Sequence, residues 1–128
     1  MKEVYNGGSY RQRTSFAREF DWIQRTILAG ETFSDCIPFN MSAGIAIICP
    51  TMTGTHVALY GSFELDGVPQ PIYDEGGTHL VVAVQEGIIS LPVDLLPIGF
   101  LYLASASAAA GTLEVEVAEV KFVVMLKP

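Results

Sequence analysis

Cys36, Cys49, His56 and His79 are the only cysteines and histidines in the chain, and they bound its metal and nucleophile chemistry. A closed zinc site needs several such donors at close spacing, and no C-x-x-C or H-x-x-x-H pair is present. Nucleophilic catalysis needs a Ser or Cys beside a His that an acid orients. Both histidines directly follow a threonine, Thr55 and Thr78, at the start of a β-like run, where an exposed ring is the ordinary outcome, and there is no G-x-S-x-G turn. The acid pairs Glu64/Asp66 and Asp74/Glu75 flank two turns. Paired carboxylates can serve a glycosidase or hold calcium, but acids at turns more commonly cap backbone N–H groups. Gly76-Gly77 has neither a Lys nor a helical pattern after it, so it is no phosphate loop. The expectation is a non-enzymatic chain with no catalytic residue, no metal and no cofactor. Cys36 and Cys49 would face each other if the chain turned near Ser42 and Ala43. The spacing admits a cross-strand disulfide as well as two reduced, buried thiols.

These residues sit among short runs of Val, Ile, Leu, Tyr and Phe separated by Gly, Asp, Pro and Thr clusters. That pattern predicts strands near 22–29, 35–39, 44–49, 56–65, 70–73, 79–84, 88–92, 100–104 and 113–127. Asp66-Gly67 and Gly76-Gly77 supply positions that tolerate φ > 0, as tight hairpins require. In the last run Leu113, Val115, Val117 and Val120 alternate with Glu114, Glu116, Glu119 and Lys121, which predicts charges on one face and aliphatics on the other. The phase slips at Ala118, where a bulge or bend is expected. Segments 44–49 and 80–84 are continuously apolar, so both of their faces should be covered. Ala104 to Gly111 reads as a small-residue loop. The fold class is all-β, an antiparallel β-sandwich of jelly-roll or Ig-like type with about eight or nine strands, over residues 21–128.

Residues 1–20 differ in kind and read as an extended, partly flexible arm. Phe16, Phe20, Ile23 and Ile27 recur at helical spacing, so a short helix over 15–20, extending to Ile27 in place of the first strand, is the competing local reading. Five bases stand against three acids in residues 1–26, a net +2, and two bases against eleven acids in the rest, a net −9. An acidic body with so weakly basic an arm excludes nucleic acid as a partner. No run of 18 to 20 apolar residues survives Pro92, Asp94 and Pro97, which argues against a membrane span, and the polar start has no secretory h-region. Yet half of the 128 residues are hydrophobic and mean hydropathy is +0.39. The surplus apolar surface is therefore expected to meet other protein subunits. The aromatics and arginines of the arm, Tyr5, Tyr10, Arg11, Arg13, Phe16 and Phe20, together with Trp22, are the expected partner-binding residues.

The ordered set A-G-E-T-F-S-D (29–35), a strand ending in Cys49-Pro50, T-H-V-A-L-Y-G-S-F-E-L-D-G (55–67) and I-Y-D-E-G-G-T (72–78) resembles small virion proteins of tailed bacteriophages. Ile89-Ser90-Leu91-Pro92 and the strand Tyr102 to Ser107 extend the likeness, which spans about residues 27–126 and omits the arm. The chain departs from that pattern at Glu64, where the group has Ser, and at Ala104, where a basic residue is common. The resemblance implies a β-sandwich of the particle without catalytic activity. Its leading form is a capsid decoration or cement protein on the capsid exterior, made in the host cytoplasm, with the major capsid protein and copies of itself as partners in a homo-oligomer such as a trimer. The alternatives are a tail or neck component, or a carbohydrate-binding module of a host-recognition fibre.

Overall fold

The structure, a computed structural model, describes residues 21–38, 44–91 and 99–127. These residues hold nine strands: β1 (Asp21–Ile27), β2 (Ile37–Pro38), β3 (Gly44–Ile48), β4 (His56–Ser62), β5 (Gln70–Pro71), β6 (Val81–Ala83), β7 (Ile88–Ser90), β8 (Phe100–Ala106) and β9 (Val120–Lys127). No helix occurs among the described residues, and the stripe through Ile23 and Ile27 lies on strand β1. The expected helix at 15–20 lies outside them.

The strands form two antiparallel sheets. One, sheet A, has the order β1-β9-β3-β7; the other, sheet B, has β2-β8-β4-β5, with β6 also paired to β4. Residues 72 and 80 both bond to Leu59, through Ile72 N to Leu59 O (3.2 Å) and Leu59 N to Leu80 O (3.0 Å). Strands β5 and β6 are thus two halves of one edge strand, interrupted by the hairpin 73–79. Counted so, there are eight strand positions, and the chain changes sheet at every connection except that from β4 to the split edge strand. This is the strand order of a jelly roll, and it decides between the two sandwich types expected from the sequence.

The core lies between the sheets. Register places Ile23, Val124, Ile47 and Ile89 in one inward row of sheet A, with Phe122, Ile27, Val120 and Ile45 beside it. Val57, Leu59, Leu101, Leu103 and Ile37 face them from sheet B, and the cluster is almost wholly buried. Arg25 closes the β1 edge, where its Nε donates to Cys36 O at 2.8 Å just before β2. The hairpin that would have set Cys36 opposite Cys49 does not form, because β2 and β3 belong to different sheets. Both thiols are free.

Sheet B is covered on its other side as well. Ala58, Ala104 and Ala106 form a fully buried outer layer beneath Phe33, Tyr60 and Val81. Ala58 pairs with Ala104, and only small side chains leave room there for the covering rings. Phe33 meets Tyr60 edge-on at 4.9 Å, and Tyr60 meets His79 of the hairpin at 5.1 Å. Residues 104–106, expected in a loop, are therefore central strand. The hairpin turns where expected: Gly77 (φ 84°) donates to Asp74 O, and Asp74 Oδ1 accepts from Thr78 N at 2.9 Å.

Gly54 shows how tightly the β3–β4 connection approaches β8. A Cβ there would meet Ser105 Oγ and would lie 2.9 Å from Ala106 O. Gly54→Ala must displace backbone, so it should lower stability by about 1–3 kcal/mol, read as a drop in thermal midpoint with unchanged far-ultraviolet dichroism.

Candidate binding surfaces

The chemistry-bearing residues are each tied into local structure. His56 Nδ1 lies 2.8 Å from Thr55 Oγ1, and His79 Nε2 lies 3.1 Å from Leu59 O with its ring against Tyr60 and Tyr73. Cys49 Sγ points at Met52 Sδ (3.2 Å) and Pro50 O. Burial, with a smaller contribution from the charge of Glu116, pushes the Cys49 thiol up to about 11, so thiolate is scarce at neutral pH. Among the described residues no three His, Cys, Asp or Glu side chains group as metal ligands.

The segment before β9 reverses the expected alternation. Leu113, Val115 and Val117 are exposed, whereas Glu116 is fully buried. The strand begins only at Val120, after a bend at 117–118 where the phase slips. What turns Glu116 inward is a set of donors supplied from distant sequence. Thr53 N donates to Oε1 at 2.8 Å and Gly54 N to Oε2 at 2.9 Å. Ser105 Oγ also donates to Oε2. Glu116 O and N further bond Gly30 N and Glu31 O, which docks the 28–31 turn. Burial raises the carboxyl's pKa, but the bonds from Ser105, Thr53 and Gly54 together outweigh it and hold the group below its ordinary value. Nothing local in the sequence separates Glu116 from its neighbours; the Ala118 slip is the one hint that the pattern breaks nearby.

Among the described residues, two apolar surfaces are left uncovered. The first is the outer face of sheet A. Register aligns Trp22, Met125, Ala46 and Ser90 in one row and Gln24, Val123, Ile48 and Ile88 in the next, with no charge in either. Trp22 and Ile88 are each 67% exposed. The expectation that 44–49 is covered on both sides is not met among the described residues, because Ile48 is exposed on this outer face. The second surface is a groove of about 520 Å³ at the β4–β5 end, lined by Gly61, Phe63, Val68, Pro71 and Ile72 with Glu64 at its lip. Its turn is held in shape: Ser62 Oγ accepts from Glu64 N and donates to Glu64 O, Tyr102 Oη donates to Gly67 O at 2.8 Å, and Asp66 takes φ 57°. Phe63 is 89% exposed beside it.

Of the expected partner-binding residues, Trp22 stands on β1 within the apolar row of sheet A. Tyr5, Tyr10, Arg11, Arg13, Phe16 and Phe20 lie outside the described residues. Together the two sheets define an antiparallel jelly-roll sandwich with two exposed apolar surfaces among the described residues. No family model, curated protein or solved structure matches the chain.

Glu116 also makes stability depend on pH. Its folded-state pKa lies below the unfolded value of about 4.3, so its contribution is complete above that value and is lost as pH falls through the folded pKa. Thermal midpoints should hold from neutrality to about pH 5 and then decline. The Glu116→Gln protein should be less stable at pH 7 but flatter across that acid limb, whereas Glu116→Ala, which strands three donors, should cost about 3 kcal/mol or more.

Proposed function

We propose that the protein is a non-catalytic structural subunit of a virus particle, a decoration or cement protein that binds the shell of a tailed bacteriophage and stabilises it. The observation that carries this reading is the outer face of sheet A, two uncharged rows centred on Trp22, Met125, Val123, Ile48 and Ile88. Contiguous exposed apolar surface of this kind marks a protein interface, and an exposed Trp is a common anchor. Burying about 400 Å² of it would contribute about 10 kcal/mol, against an association cost of about 4–15 kcal/mol. One copy alone would sit near break-even, and neighbouring copies on a repeating shell would tip the balance. Jelly rolls serve as viral capsid domains and also as lectins, and fold alone does not choose between them. The sequence resemblance to tailed-phage virion proteins favours the particle.

Protein-composition analysis and imaging of purified particles test the assignment. The protein should be found on the capsid exterior at regularly repeated positions. Trp22→Ser and Ile88→Asp should each weaken affinity for the shell about tenfold, the effect of roughly 1.4 kcal/mol, while leaving the thermal midpoint of the free protein within a few degrees. Localisation to the tail or neck would move the assignment to those structures. Absence from particles, with binding to glycans by the isolated protein, would replace it with the carbohydrate-binding reading.

A further inference from the structure

The buried carboxylate ties together the segments that close one end of the core. We propose that Glu116 is an acid-sensitive latch: when its carboxyl takes up a proton, residues 28–31, 49–54 and 113–119 come away together and open that end, while the two sheets stay paired. The latch is independent of the particle assignment, which rests on the outer face of sheet A.

Three observations carry the proposal. The first is where the carboxylate sits. Ser105 pairs in register with the core residue Val57, so its hydroxyl faces the space between the sheets. Glu116 reaches that hydroxyl from the segment before β9 and is fully buried there, with Thr53 N and Gly54 N as its other donors. The backbone of the same residue holds Gly30 and Glu31, and Val117 N donates to Thr53 Oγ1 at 3.4 Å. One residue thus joins the 28–31 turn, the β3–β4 connection and the segment before β9.

The second is how little else holds these segments. In residues 28–31, 50–53 and 115–119 every residue is exposed except half-buried Met52 and buried Glu116. They bury almost no apolar area of their own, and a cleft of about 280 Å³ lies between residues 51–53 and 116–120. Regions with so few buried apolar contacts open at a lower free energy than the strands they adjoin. Opening here has a built-in reporter, because the buried Cys49 thiol lies 3.2 Å from Met52 Sδ at the base of the β3–β4 connection.

The third is the dependence of these bonds on charge. Hydrogen bonds to an ionised acceptor are roughly twice as strong as neutral ones, and all three to the Glu116 carboxylate are of that kind. A proton weakens them and adds an O–H that itself needs an acceptor, in a site built from donors. The titratable and charged groups on the surrounding elements are the Cys49 thiol, Glu31 in the turn, His56 at the start of β4, and Glu114, Glu119 and Lys121 along the chain on either side of Glu116. None of them enters the carboxyl's balance: burial raises its pKa, and the bonds from Ser105, Thr53 and Gly54 outweigh that and lower it. The closed state therefore has the lower pKa. The latch is fully closed at neutral pH and loosens as pH falls below the ordinary value of about 4.3 and through the folded one.

Native-state amide exchange of the full-length chain tests this, with each rate referred to the unstructured-chain rate at the same pH. From about pH 6 to about pH 3, which spans the ordinary carboxylate range, the amides of Gly30, Thr53, Gly54 and Glu116 should lose at least threefold more protection than those of Leu59 and Val124 in the strand ladders. Cys49 should become at least threefold more reactive, relative to the buried Cys36, toward a disulfide reagent that works in acid. Glu116→Gln should abolish this acid response. Ser105→Ala removes one bond and keeps the carboxylate, so it should lower protection at Gly30, Thr53 and Gly54 already at neutral pH and shrink the further loss in acid. Equal loss of protection in both sets of amides, full protection throughout at about pH 3, an acid response that persists in Glu116→Gln, or a Ser105→Ala protein that exchanges like the parent would each overturn the proposal.

Discussion

A buried carboxylate with no cation partner among the described residues organises one end of this sandwich. Glu116 accepts hydrogen bonds from Thr53, Gly54 and Ser105, which come from the β3–β4 connection and from the end of the β8 ladder. Its backbone meanwhile bonds the 28–31 turn. An ionised carboxylate taken out of water costs several kcal/mol unless its lone pairs are met, so the three segments must stay assembled around it. Dependence runs both ways, since two of the donors are backbone N–H groups in a connection that would otherwise leave them unpaired. Gly54 belongs to the same arrangement: the backbone approach that lets its N–H reach Glu116 leaves no room for a side chain.

That anchoring accompanies an asymmetry between the sheets. Sheet B has cover on both sides, the shared core on one and Phe33, Tyr60 and the 73–79 hairpin on the other. The hairpin is an insertion into an edge strand, so the residues that interrupt the edge are also those that roof the alanine layer. Sheet A has cover on its inner side alone among the described residues. The hydrophobic surplus of the composition divides accordingly, part of it into the second layer of sheet B and part onto the open face around Trp22.

Much of the fold was legible in the sequence because strand and turn chemistry are local. Each of the nine β-like runs overlaps one of the nine described strands, though the last was expected from Leu113 and begins only at Val120, and Asp66-Gly67 and Gly76-Gly77 turn the chain where φ > 0 is needed. What could not be read was non-local. The spacing of Cys36 and Cys49 left a hairpin pairing open beside two free, buried thiols, because spacing carries no information about which sheet a strand joins. The run 104–106 looked like loop because Ala and Ser have little strand preference of their own, and it is the overlying Phe33 and Tyr60 that select small residues there. Glu116 looked solvated because its three donors lie 11, 62 and 63 residues away in sequence. Among the expected binding residues, Trp22 alone falls on a described strand, and the β4–β5 groove went unseen because its walls are ordinary hairpin residues until the turn folds them together.

The edges of the sheets sharpen the meaning of the open face. A long unpaired edge is a template for association, and proteins blunt edges with short strands or interruptions. Here β2 and β5 have two residues each, and β6 and β7 three. Strand β1 has seven, all paired on one side to β9, and its other side has no strand partner among the described residues. Arg25 Nη1 on Gln24 O meets only one of its outward carbonyls. Among the described residues the one long edge therefore adjoins the open apolar face, and Trp22 belongs to both. A surface that offers backbone hydrogen bonds and desolvation at the same place can bind with direction as well as strength, because the ladder fixes register while the apolar rows supply most of the free energy. Selection for solubility alone would have removed one of the two, by shortening β1 or placing charges in its rows, as the rest of the molecule does elsewhere.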